Sequence, residues 1–402
     1  MTQTTESAPQ YDYQADAFFF GVSARLIGIV FVARLITDVS TRMLYPFIPQ
    51  ISAGLGLTVV GFGWVLFLRS VLSVTGPIFG LWSDRYGRRQ TMAVGLLLQA
   101  LGVLGLALSW QWWAALPMLL MGLSLAAFIP AQQAYISDQV TYRKRGRALA
   151  AVEFAWSMSA VTALPLAGWL IDRLGWRSPF LLLSLLSLAG AIMVWRRLPP
   201  AAERHIQSNI SWTETRAIFL RANVLVAVVT ATLLFVAGTM FITIWGIWLS
   251  TDFQFGATTL GLVGTGVGLA ELSGAGLASL IIDRIGKKRG STLSLLLLIM
   301  ALLLLPLTRS AVALAVAGLV ATSVLFEFTI VSLIPLYSEQ VPSARGTVLA
   351  LTFLGIGVGS AIGAPTTTIL WEQFGLGAVF GTAAVCLAVT LGLMRKFLDE
   401  GD

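Results

Sequence analysis

The chain has 402 residues, of which 57% are hydrophobic and only 11% charged, with a mean hydropathy of +0.84 and a net charge of +7. Soluble domains carry about 25% charged residues, so the composition excludes an ordinary soluble globular protein. One cysteine, Cys386, excludes an internal disulfide framework and a multi-cysteine metal site; with His205 as the one histidine, neither a zinc site nor a Ser-His-Asp triad is expected, nor is a cofactor.

Residues 1–20 read as a tail with no basic region ahead of an apolar one, so no cleavable signal peptide is expected. A helix needs about 20 mostly apolar residues to cross the hydrocarbon core. Six such runs follow at 21–51, 57–82, 91–109, 113–137, 147–171 and 178–197, and form an N-terminal half, 21–197. Residues 198–221 carry Pro199-Pro200 and several charges and read as a linker, with a short surface helix expected at 212–219. Six more runs, 222–250, 258–281, 291–308, 312–337, 346–371 and 375–394, make a C-terminal half, 222–396, before a tail at 397–402. The expected fold is an all-α membrane protein, with twelve transmembrane helices in two six-helix bundles.

Basic residues gather on the cytoplasmic side of membrane proteins. With both termini in the cytoplasm, 20 of the 26 Lys and Arg residues fall on that side, 3 in the outer loops and 3 within spans. The positive charge thus follows topology, and no nucleic-acid surface is expected.

Seven ionisable residues lie within the expected spans: Arg34, Asp38, Arg42, Arg69, Glu153, Glu271 and Glu327. Each costs about 2.5–3.5 kcal/mol at a helix centre, so seven facing lipid would cost roughly 20 kcal/mol. They are expected to pair or to line a wet cavity. Arg34, Asp38 and Arg42 are spaced by four and share one helical stripe, where neighbours can meet. Asp38 is therefore the expected proton-coupling carboxylate, with Arg34 as its partner and Glu271, Glu327 and Glu153 contributing. The alternative is a set of permanent ion pairs holding helices together. Arg42, Arg69, Tyr45, Trp64, Trp156, Trp245 and Trp248 are candidates for an aromatic solute cavity. Trp110, Trp112 and Trp113, at a span end, read as an interfacial belt.

Two strings occupy matching places in the two halves. Gly80-Leu81-Trp82-Ser83-Asp84-Arg85-Tyr86-Gly87-Arg88-Arg89 ends the second run, and Ser279-Leu280-Ile281-Ile282-Asp283-Arg284-Ile285-Gly286-Lys287-Lys288 ends the eighth. A second echo links Asp138…Arg145-Gly146 to Glu339…Arg345-Gly346. The offsets are close to half the chain, which marks an internal duplication. Gly80 is expected to let helices approach closely, and Gly87 to permit a tight turn. Asp84 stands where it could cap a helix N-terminus or pair with an arginine.

The first string resembles the G-x-L-x-D-R-x-G-R-R signature of the major facilitator superfamily, with Trp82 in place of the Leu; the second is a weaker copy. The resemblance covers about residues 20–396. It implies two bundles related by a pseudo-two-fold axis and a secondary transporter working by alternating access. It also implies that Gly80, Asp84, Arg85, Gly87, Arg88, Arg89, Asp283 and Arg284 form a conformational latch, against the simpler reading of a topological anchor. Pro165-Leu166-Ala167-Gly168 partly resembles the antiporter signature G-x-x-x-G-P-x-x-G-G, although Leu164 and Trp169 replace two of its glycines. The arginine that proton-coupled members carry in helix 4 is missing here, where Gln132-Gln133 stand instead.

The expected function is export of a small organic solute in exchange for protons, by a monomer in the lipid bilayer of a bacterial inner membrane. No Walker-type nucleotide loop is present, so an ion gradient rather than ATP is the expected driving force. The alternatives are a proton-coupled importer, a flippase for a lipid or lipid-linked glycan, and a non-transporting sensor.

Overall fold

The structure, a computed structural model, describes residues 18–19, 22–140, 144–199 and 212–400. The first expected span begins later than hydropathy implies. Val22–Ser23 pairs antiparallel with Phe18–Phe19 in a two-residue ladder, and helix α1 runs from Ala24 to Arg42. The chain then turns through 43–47 before α2, Ile48–Leu55. Pro46 and Pro49 lie at this break, and each lacks the amide that a continuous helix would use. The second span is likewise broken into α3, Val59–Ser73, and α4, Gly76–Tyr86, with a proline in the first turn of α4. Gly56 takes φ 72°, a left-handed helix cap, between α2 and α3.

Among the described residues, ten continuous helical segments are long and apolar enough to cross a membrane. In the first half they contain α5, Arg88–Leu108; α6, Ala115–Gln139; α7, Arg145–Leu174; and α8, Ser178–Arg197. A short α9, Trp212–Phe219, lies where the surface helix is expected and packs on α10 and α14. The second half comprises α10, Ala222–Asp252; α11, Ala257–Ile285; α12, Lys287–Leu304; α13, Val312–Ser338; α14, Arg345–Phe374; and α15, Leu376–Phe397. With the two broken spans these make twelve membrane-crossing segments in two six-helix bundles. Exposed side chains along them are largely apolar, as lipid contact requires. Trp110, Trp112 and Trp113 are exposed at a helix end.

The duplication extends into the backbone. Gly87 and Gly286 take φ 95° and 87°, each just ahead of the helix that opens the third span of its half. Gly175 and Gly375 take φ 88° and 76° between the last two helices of each half. Pro165 and Pro365 stand inside α7 and α14. The tight turn expected at Gly87 is present, because a positive φ of this kind strains any residue with a Cβ. Gly80 differs from expectation. A Cβ there would meet nothing within 4 Å, so no close helix approach depends on it in this conformation.

The bundles meet along two seams, α7 against α11 and α3 against α14. On the first, Gly261, Gly264 and Gly268 of α11 lie against Leu164 and Ala160 of α7, and Gly168 of α7 faces the Ala257 carbonyl. Small residues allow this approach, which suits membrane helices that lack a hydrophobic driving force between them. The Pro165–Gly168 stretch therefore lies at the junction of the bundles.

Candidate functional site

Two polar clusters are built on α1. In the first, Arg34 holds two carboxylates. Its Nε donates to both Asp38 oxygens at 3.0 and 2.9 Å, and its Nη1 and Nη2 donate to Glu153 at 3.1 and 2.7 Å. Arg34 Nη1 also donates to Gln132 Oε1 at 3.1 Å, and Gln133 Nε2 donates to Glu153 Oε1 at 3.2 Å. Gln132 and Gln133 thus join the cluster to α6. Asp38 is 3% exposed, whereas the Glu153 side chain is 42% exposed. Glu153 lies about two turns into α7, counted from the end that carries the basic loops. Glu153 is thus the exposed acid of the cluster, and Asp38 the buried one.

One turn further along α1, Arg42 leaves the stripe. The spacing allows it to pair with Asp38, but its Nη2 lies 2.5 Å from Glu271 Oε2 on α11 in the other bundle. Its guanidinium carbon stacks 4.5 Å from the Trp156 ring centroid. Arg69 on α3 donates to Thr41 Oγ1 at 2.7 Å. These groups border a cavity of about 260 Å³ shared by both bundles, with Tyr45, Trp156, Trp245 and Phe326 among its walls and Glu327 on α13 facing in. Among the described residues Glu327 forms no ion pair.

Two aromatic candidates fall elsewhere. Trp64 is 45% exposed and packs edge-on against Phe67, outside the cavity lining. Trp248 is fully buried inside the second bundle, where its Nε1 donates to Asp252 Oδ2 at 2.9 Å and its ring meets Phe253 and Phe380. It lies three residues beyond Trp245, and that step turns it from the cavity wall into the bundle core.

The basic end carries the repeated strings. Arg88 pairs with Asp84 at 2.8 Å and with Asp138 at 2.5 Å, and Lys287 pairs with Glu339. The two sequence echoes are thus partners in space, equivalent in the two halves. Arg89 donates to the Leu198 carbonyl at 3.1 Å and stacks over Trp195, while Arg85 lies over Tyr86. Arg284 is exposed, and the Asp283 side chain lies outside what the structure describes. Each ion pair here joins residues of one bundle.

At the opposite end the bundles are tied together. Asp172, in the last turn of α7, accepts hydrogen bonds from the amides of Ala257 at 3.2 Å and Thr258 at 2.7 Å. A carboxylate thus caps the free N–H groups at the start of α11 across the interface. Sequence reasoning passes over Asp172, because its partners are backbone groups 85 and 86 residues away.

Two six-helix bundles around a shared central cavity define a transporter fold. The Major Facilitator Superfamily model matches residues 30–246 and 227–401, and the chain belongs to that family of membrane transporters. It is 23% identical over 346 residues to the uncharacterized MFS-type transporter YwfA of Bacillus subtilis, covering 84% of this chain and 81% of that one. It is 24% identical over 383 residues to the multi-drug resistance efflux pump PmrA of Streptococcus pneumoniae, covering 90% and 93%. Among solved structures, a D-xylose-proton symporter superposes with a TM-score of 0.77 at 16% identity, covering 93% of this chain and 97% of that one.

Proposed function

We propose that this transporter exports a small amphipathic organic solute in exchange for protons. The observation that carries the reading is the cavity shared by the two bundles, where an aromatic wall meets Arg42, Arg69, Glu271 and Glu327. A mostly apolar pocket with a few convergent polar groups suits such a solute. The Arg34–Asp38–Glu153 cluster supplies the coupling. A carboxylate whose arginine partner is present in one state and withdrawn in another binds protons differently in the two. Protonation then biases one conformation over the other. Likeness to a multi-drug efflux pump supports export over import.

The basic loops face the cytoplasm in this reading, by the positive-inside asymmetry. The bundles are tied at the Asp172 end, so the conformation is inward-facing. The protein works as a monomer in the inner membrane of a bacterium. The domain boundaries that go with this reading are 21–197 and 222–396, joined by a cytoplasmic linker at 198–221.

The test is a solute screen in everted membrane vesicles with an imposed pH gradient. At least one amphipathic solute should accumulate against its gradient and release it when the pH gradient is collapsed. Uptake that survives collapse of every ion gradient would overturn the coupling. Orientation is tested in a background with Cys386 replaced: Trp113→Cys should react with an impermeant thiol reagent outside intact cells, and Tyr86→Cys should not.

A further inference from the structure

Among the described residues Arg69 forms no ion pair. It is 3% exposed and borders the cavity, and its described hydrogen-bond partner is one neutral oxygen, Thr41 Oγ1 at 2.7 Å. Its Nε is buried with no partner. Arg42 is beside it on the cavity wall. Its Nη2 is taken by Glu271, while its Nη1 is also buried and unpartnered.

Among the described residues no acid of the cavity forms an ion pair with Arg69. Glu271 is engaged by Arg42 at 2.5 Å. Glu327 borders the same cavity, but no ion pair joins it to Arg69. The two residues also differ in kind. A carboxylate can become neutral by taking a proton, whereas a guanidinium stays charged at any physiological pH. A buried, permanent positive charge needs a counter-charge. A water molecule could satisfy its N–H groups but would not neutralise it. The planar fork of donors matches a carboxylate, sulfonate or phosphate.

We propose that the solute carried by this cavity bears an anionic group, held by Arg69 and the free N–H of Arg42, with its apolar body against Trp156, Trp245 and Phe326. The substrate class is an amphipathic organic anion, and a cavity of about 260 Å³ suits a body of one or two rings. This rests on the reading of the cavity as the solute site. An anionic lipid headgroup and a free organic anion share the required chemistry.

The experiment uses the full chain in phosphatidylcholine nanodiscs and three congeners of one skeleton: 3-phenylpropionate, 3-phenylpropanol and 3-phenylpropylamine. Binding is read by calorimetry. The anion should bind about ten-fold tighter than the alcohol, the gain expected of a charged hydrogen-bonded contact over a neutral one. Arg69→Gln should remove that preference, and Arg69→Lys should keep part of it. The comparison among congeners on the parent protein stands even if a variant fails to fold. Displacement of 3-phenylpropionate by phosphatidylglycerol in the nanodisc would assign the anion to a lipid headgroup, and no displacement to a free solute; both uphold the anion site. Binding of the alcohol or amine as tight as the anion, or a preference untouched by Arg69→Gln, would overturn the inference while leaving solute transport standing. Failure of all three congeners to bind would overturn both the anion site and the solute cavity.

Discussion

Arg42 on α1 and Glu271 on α11 meet at 2.5 Å, and this buried ion pair ties the first helix of one bundle to a helix of the other. Side-chain exposures of 3% and 13% leave little solvent to replace either partner. Removing one member of a buried pair strands the other and costs about 3–5 kcal/mol. Glu271→Gln should therefore lower the thermal midpoint of the detergent-solubilised protein by several degrees. The double variant with Arg42→Gln should recover part of that loss. A cycle with coupling below about 0.5 kcal/mol would mean that the pair holds nothing together.

Asp38 is buried against Arg34, and Glu153 offers the same guanidinium a second, more exposed carboxylate. Asp38→Asn should abolish pH-driven accumulation of solute and leave downhill exchange partly intact. Glu153→Gln should slow accumulation without abolishing it, because Asp38 still pairs with Arg34. Vesicle transport with and without a pH gradient separates the two effects. Concentrative uptake by Asp38→Asn would move the coupling acid to Glu271 or Glu327.

Asp172 closes the other end of the molecule by capping α11 across the interface. Asp172 is exposed, and a carboxylate cap of this kind contributes about 0.5–1.5 kcal/mol. Asp172→Ala should thus shift the equilibrium toward a form open at this end by roughly two- to ten-fold. Spin labels at Trp176→Cys and Gln254→Cys, in a background lacking Cys386, should report a longer mean distance in the variant. An unchanged distance distribution would leave Asp172 as a local helix cap only.

Asp84 belongs to the string expected to act as a latch, yet here it pairs with Arg88 in its own bundle and its side chain is 56% exposed. An exposed pair of this kind contributes about 0–1 kcal/mol. Asp84→Asn should leave stability and solute affinity close to the parent and reduce turnover several-fold, if the residue acts in the opposite conformation. Parental turnover would make the string a topological anchor.

Hydropathy and loop charge were enough to read twelve spans, two halves and a duplicated loop motif, because each depends on runs of residues rather than on partners. The duplicated glycines Gly87 and Gly286 were visible for the same reason: a turn needing positive φ is a local demand. The in-span charges also stood out, since their cost in hydrocarbon does not depend on which way they face. Their pairings did not. Spacing offered Asp38 two arginines one turn away on either side, and only the rotation of α1 against α7 and α11 sent Arg34 to Asp38 and Glu153, and Arg42 to Glu271 across the interface. Trp64, Trp245 and Trp248 looked alike because lipid-facing and core-facing positions of a membrane helix are both apolar, so periodicity does not reveal the face. The empty space beside Gly80 and the cap from Asp172 to α11 likewise came from the packing of two bundles, where contacts join segments far apart along the chain.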